Sequence, residues 1–283
     1  MQLAATLHPV AFIGFIFVLG LVVGSFLNVV IYRLPKMIET GFRYECAYMD
    51  DENTPAPPRF NLAKPDSTCP CCGTLIRGYD NIPVLSWVIL GGKCRACKAP
   101  ISIRYPAIEC MTGVLSALIA WRYGFSAQTL GGLLLMWPLM ALFWIDADTQ
   151  LLPDDITLPL VWLGLIFNIN GTFTSLTHAV IGAIAGYMTL WTVYWVHHLL
   201  TGREGMGYGD FKLLAAIGAW FGWMALPQVI LLSSVTGAIL GIILMLGEKL
   251  GWQTRLPFGP YLALAAICTL FEPHLPLIPS AYA

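Results

Sequence analysis

Residues 127–155 read AQTLGGLLLMWPLMALFWIDADTQLLPDD, an apolar stretch that stops at Asp146 and passes at once into carboxylates and a proline. The apolar part, 127–145, is close to the roughly 20 residues that a helix needs to cross a bilayer. A second stretch, GMGYGDFK at 205–212, repeats the arrangement in reverse: Asp210 stands where another apolar segment begins. Two aspartates at two membrane borders, one of them behind closely spaced glycines, set the fold and the chemistry together.

Composition agrees with a membrane setting. Of 283 residues, 57% are hydrophobic and 11% charged, against about 25% charged in soluble domains, and mean hydropathy is +0.71. The expectation is an all-α integral membrane protein. A net charge of -1 gives no electrostatic footing for nucleic acid. The first apolar run has no basic residue before it and ends in NVVIYRLPK (28–36) without a small-residue cleavage site. It therefore reads as a retained span and not as a signal peptide.

Eight spans are expected, at about 10–32, 106–122, 127–145, 156–170, 176–198, 212–225, 228–246 and 259–272. The sixth and seventh are separated only by Leu226-Pro227-Gln228, and charge decides against merging them. With eight spans, every lysine and arginine except Arg122 falls on one side, including Arg203, Lys212, Lys249 and Arg255. The positive-inside tendency makes that side cytoplasmic. Both termini then face outward, and Asp146 and Asp210 meet at the cytoplasmic face. The division is 1–32 for the N-terminal tail and first helix, 33–105 for a cytoplasmic domain, and 106–283 for a seven-helix membrane domain.

The segment 33–105 carries Cys69-Pro70-Cys71-Cys72 and Cys94-Arg95-Ala96-Cys97. Cys69, Cys72, Cys94 and Cys97 form two CxxC pairs with the spacing of a tetrahedral Zn²⁺ site. A reduced compartment favours metal over disulfides, and so small a domain gains folding energy from a metal. Redox pairs are the rival reading. Cys71 is a spare thiol, and Cys46, Cys110 and Cys268 have no partner at ligand spacing.

Two carboxylates sharing one proton can hydrolyse a peptide: the charged member activates water while the protonated one donates to the carbonyl. No metal and no covalent intermediate is required. Gly207 and Gly209 suit close backbone approach or a tight entry into a span, and Lys212 anchors the helix or favours an ionised carboxylate nearby. Asp146 and Asp148 compete as partner of Asp210. Asp146-Ala147-Asp148 also admits a DxD pair holding Mg²⁺ against a lipid-linked phosphate, and a zinc-stabilised assembly scaffold is a third, non-enzymatic reading. His197 and His198, neighbours that do not share a helix face, read as border residues; Trp191, Tyr194 and Trp195 read as interfacial anchors. Glycines in GLVVGSF (20–26) and GAIAGYM (182–188) suit close helix packing.

GSFLNVVIYRLP (24–35), the CxxC pairs, NIPVLSW (81–87), IDADTQLLPD (145–154) and GYGDFK (207–212) together resemble the bacterial type IV prepilin leader peptidase and N-methyltransferase family over almost the whole chain. The resemblance implies an inner-membrane, GxGD-type aspartyl peptidase with Asp146 and Asp210 as its catalytic pair. It implies prepilins or secretion pseudopilins as substrates, cut at the cytoplasmic face and then methylated on the new N terminus with S-adenosylmethionine. The four cysteines carry over as zinc or domain-integrity residues. Residues around 24–36 and 78–109 are the expected region for methyl transfer, where no soluble-type GxGxG motif occurs.

Overall fold

The computed structural model describes residues 9–202, 206–246 and 256–272. Arg203, Lys249, Arg255 and both termini, on which part of the expected sidedness rests, lie outside them. The described chain is helical, with two isolated β-bridges and no strand. Each of the eight apolar segments forms a helix. In chain order they are α1 (Pro9–Asp50), the short α2 (Leu85–Ile89) of the polar region, α3 (Arg104–Tyr123), α4 (Ala127–Thr149), α5 (Asp154–Asn168), α6 (Leu176–Thr201), α7 (Tyr208–Phe221), α8 (Leu226–Leu246) and α9 (Gly259–Phe271). Helices at Pro9–Asp50, Ala127–Thr149, Leu176–Thr201 and Trp223–Ile243 are long and apolar enough to cross a membrane. By contrast α7, with 14 residues, spans about 21 Å, short of a hydrocarbon core of about 30 Å.

The chain divides into two compact units, Met1–Phe125 and Ser126–Ala283. In the first, α1 packs along α3 through small residues. A Cβ on Gly20 would stand 2.9 Å from the Gly113 Cα, and one on Gly24 would stand 2.8 Å from the Glu109 Cα. Backbones this close let van der Waals contact hold two helices where lipid removes the hydrophobic drive. Hydroxyls in the seam are satisfied within their own helix, Thr112 on the Ile108 carbonyl at 2.8 Å and Ser116 on the Thr112 carbonyl at 2.7 Å. α1 does not stop near Pro35, where the apolar run ends. It continues to Asp50 as an exposed polar helix, supported by an Arg43–Glu39 pair one turn apart.

In the second unit α7 is the central helix: Phe211, Leu213, Leu214, Ala216, Ile217, Ala219 and Trp220 are fully buried. α5, α6 and α9 surround it. Gly182 and Gly186 of α6 let that helix approach Gly218 and Leu214 at backbone distance. Asn168 closes the far end, donating to the Ala219 and Trp220 carbonyls at 2.9 Å and accepting from the Phe173 and Thr174 amides. The sixth and seventh segments are separate, but the break is Gly222, at φ +80, and not Pro227. Pro227 sits in the first turn of α8, where its missing N–H costs no helical bond.

Candidate active site

Asp146 lies in the last turn of α4. The helix ends because Gln150 turns left-handed and returns its N–H to the Asp146 carbonyl at 2.9 Å. The carboxylate is 4% exposed, and its Oδ2 accepts the backbone N–H of Gly259 at 3.0 Å. Gly259 opens α9, so the positive end of that helix faces the carboxylate. A Cβ there would come within 2.7 Å of Oδ2. This partner was missed in the sequence; the Phe258-Gly259-Pro260 start of the last apolar segment is the signal that points to a helix N terminus.

Asp210 lies in the first turn of α7, behind Gly207 in the N-cap position. It is 7% exposed, and its Oδ1 has no hydrogen-bond partner among the described residues. Asp146 and Asp210 are near enough to act on each other electrostatically. The turn 150–153 reaches the glycine beside each of them through Leu152. A Cβ on Gly209 would meet the Leu152 Cβ at 2.7 Å, and one on Gly259 would meet Leu152 Cδ1 at 3.1 Å. Leu152 thus fits between two glycines, one beside each aspartate. Gly207 differs: its φ is -84 and nothing lies within 4 Å of the place a Cβ would take.

Asp148 is exposed, two residues from Asp146 and therefore on another helix face. Neither joins a cluster of three or more metal-ligating groups among the described residues. Lys212 is committed to Asp154, with Nζ 2.7 Å from both carboxylate oxygens. It ties α7 to the start of α5 and does not hydrogen-bond either buried aspartate. Tyr194, which as an interfacial anchor would be exposed, is buried. It joins Tyr208 (5.4 Å between ring centroids) and Phe211 (5.8 Å) in a wall beside the first turn of α7, and stacks on His198. His197 is exposed.

In the first unit Cys69, Cys72, Cys94 and Cys97 place their Sγ atoms within 4.8 Å of one another. The Cys69–Cys97 separation of 3.8 Å matches the edge, about 3.8 Å, of a tetrahedron with Zn–S bonds near 2.3 Å. The two pairs are built alike. Cys69 N–H bonds the Thr74 carbonyl at 2.9 Å and Gly73 returns to Cys69; Cys94 N–H bonds the Ala99 carbonyl at 2.8 Å and Lys98 returns to Cys94. Gly73 (φ 69) and Lys98 (φ 61) make the same left-handed turn after the second cysteine of each pair. A β-bridge closes each loop, Thr68 with Leu75 and Lys93 with Pro100. Cys71 corresponds to Ala96 at the tip and is exposed. These residues fit a structural Zn²⁺, and as thiolates they would hold it without an open position for catalysis. Arg95, at the second tip, binds both oxygens of Asp80 and holds that carboxyl below its usual range.

Comparison with known proteins gives two family matches: "Bacterial Peptidase A24 N-terminal domain" over residues 18–123 and "Type IV leader peptidase family" over 133–242. Similar full-length proteins include one from Stutzerimonas stutzeri, 54% identical over 91% of this chain and 90% of its own. One from Pseudomonas aeruginosa is 53% identical over 91% and 89%, and one from Neisseria gonorrhoeae 52% identical over 88% and 86%. Each is named prepilin leader peptidase/N-methyltransferase. No solved structure matches the chain.

Proposed function

The chain belongs to the type IV leader peptidase family, and from that premise we propose how it works as a prepilin leader peptidase and N-methyltransferase. Asp146 and Asp210 are the peptidase pair. The single observation that carries this assignment is the burial of both aspartates within electrostatic reach of each other.

One carboxyl holds a proton and the other does not, because two adjacent charges out of water are costly. Asp146, oriented by the Gly259 amide, takes a proton from water as the oxygen attacks the scissile carbonyl. Asp210, with an uncommitted oxygen, donates to that carbonyl. Collapse breaks the C–N bond, and the amine leaves with the proton. Substrates are prepilins or pseudopilins whose basic leader stays at the cytoplasmic face while the apolar segment lies among lipid and enzyme helices. The new amine then takes a methyl group from S-adenosylmethionine, and Zn²⁺ on the four cysteines holds the polar domain together.

Product mass after incubation with a prepilin peptide and S-adenosylmethionine tests the whole reading. Loss of the leader plus one methyl group is expected. Asp146→Asn and Asp210→Asn proteins that cut at the wild-type rate would remove the aspartate assignment. Methylation without cutting by the wild-type protein would remove the peptidase reading.

A further inference from the structure

Three carboxylates are buried among the described residues: Asp146, Asp210 and Glu109. The first two belong to the peptidase site, and Glu109 has no part in it. It lies in the second turn of α3, 8% exposed, against the bare backbone of Gly24 in α1. Its Oε2 accepts the Val84 N–H at 2.7 Å, and the Ser25 side chain lies near the carboxylate. Both partners are neutral. No lysine or arginine pairs with Glu109 among the described residues.

Val84 makes this contact from φ 59 and ψ -49, a backbone conformation that a β-branched residue rarely adopts. Such strain persists only where the surroundings over-determine it, and it collects at functional sites. Here it aims one amide at one carboxylate. The neighbouring loop is pinned as well: Trp87 Nε1 donates to the Ile101 carbonyl at 3.1 Å, and the Trp87 ring lies over Gly92, where a Cβ would meet it at 2.8 Å. One turn along the seam, Asn28 donates to the Tyr105 carbonyl at 3.2 Å. Helix packing alone asks for none of these polar groups between α1 and α3.

A buried carboxylate held by neutral donors is incompletely compensated whenever it ionises, and a cation completes it. Methyl transfer brings two cations: the sulfonium of the methyl donor and the ammonium of the freshly cut N terminus. We propose that Glu109 is the carboxylate that receives the cationic reactant of methyl transfer, oriented by Ser25 and the Val84 amide. The inference rests on the methyltransferase reading above. In the reaction the ammonium first loses a proton to solvent. The amine lone pair then forms the N–CH₃ bond as the S–CH₃ bond breaks; the positive charge passes to nitrogen and the donor leaves as a neutral thioether.

Glu109→Gln tests this, since the amide keeps an acceptor for Val84 and loses the charge. The full-length variant is incubated with prepilin and S-adenosylmethionine, and cutting and methylation are timed separately. Donor binding is measured for S-adenosylmethionine and for its uncharged product S-adenosylhomocysteine. Cutting is expected to stay within about twofold while methylation falls on the order of ten- to a hundredfold. A loss of affinity for S-adenosylmethionine but not for the thioether identifies the sulfonium as the bound cation. Unchanged donor affinity with a raised KM for leader-free peptide identifies the ammonium. Wild-type methylation kinetics in Glu109→Gln overturn the proposal, as does a parallel loss of cutting, methylation and thermal stability, which marks Glu109 as a structural tie. Ser25→Ala, which keeps the carboxylate and removes the neighbouring hydroxyl, is expected to slow methylation and spare cutting; equal slowing of both also overturns it. A wild-type protein that cuts but never methylates refutes the underlying reading before any variant is measured.

Discussion

The backbone N–H of Gly259 points at Oδ2 of Asp146 from 3.0 Å, and a methyl group on Gly259 would stand 2.7 Å from the same oxygen. The bond that orients the carboxylate therefore requires the absence of a side chain. Gly259→Ala must push either the carboxylate or the start of α9 aside, and misplacement of about 1 Å at a reacting group costs on the order of 100-fold in rate. Prepilin cutting by Gly259→Ala is expected to fall by about that factor, while methylation of a leader-free peptide stays near wild type. Equal rates of cutting for the two proteins would show that the carboxylate does not depend on this contact.

The two glycines before Asp210 are expected to behave differently. Gly209 has the Leu152 Cβ 2.7 Å from where its own Cβ would be, whereas Gly207 has open space. Gly209→Ala should displace the 150–153 turn, whose Leu152 packs beside both aspartate-bearing sites, and reduce cutting at least about tenfold. Gly207→Ala loses only the modest preference for glycine over alanine at an N-cap, and should cut within a few-fold of wild type. Rates that rank the other way would place the demand for glycine on substrate approach and not on packing against Leu152.

Because Asp146 and Asp210 act as one unit, their losses should not multiply. Each asparagine variant should lower cutting by roughly 10²–10⁴-fold, the range for a positioned acid or base. The double variant should be no slower than the slower single one, as for other groups that work together. Multiplicative losses would mean that the two carboxylates serve independent steps.

Much of this was legible in the chain. Apolar length located every long helix, and the aspartates were visible as charges at apolar ends. Less legible was anything set by a neighbour distant in sequence. Lys212 stands two residues from Asp210, yet its ammonium is taken by Asp154, 58 positions away. Asp146 and Asp148 looked nearly equivalent because periodicity alone does not say which face of α4 will be covered; the start of α9 covers Asp146 and offers it an amide, while Asp148 is exposed. Tyr194 looked like an interfacial anchor because aromatic residues at a helix end usually are. Its burial follows from Tyr208 and Phe211 of α7, whose rings pack against it.

The paired cysteine loops make the last prediction. Cys72 and Cys71 are adjacent, but only Cys72 belongs to the cluster of converging sulfurs; Cys71 occupies the tip position that Ala96 holds in the second loop. Purified wild-type protein should carry one Zn²⁺ per chain. Cys71→Ala should retain it, and Cys72→Ala should lose it and melt the polar domain, since metal affinity in such small domains is folding free energy. Thiols must shed their protons to bind, so zinc release should grow as pH falls. Metal content by mass spectrometry, followed through a titration from neutral to mildly acidic pH, checks each point. Zinc loss from Cys71→Ala equal to that from Cys72→Ala would show that the two loops do not hold the metal as equivalent pairs.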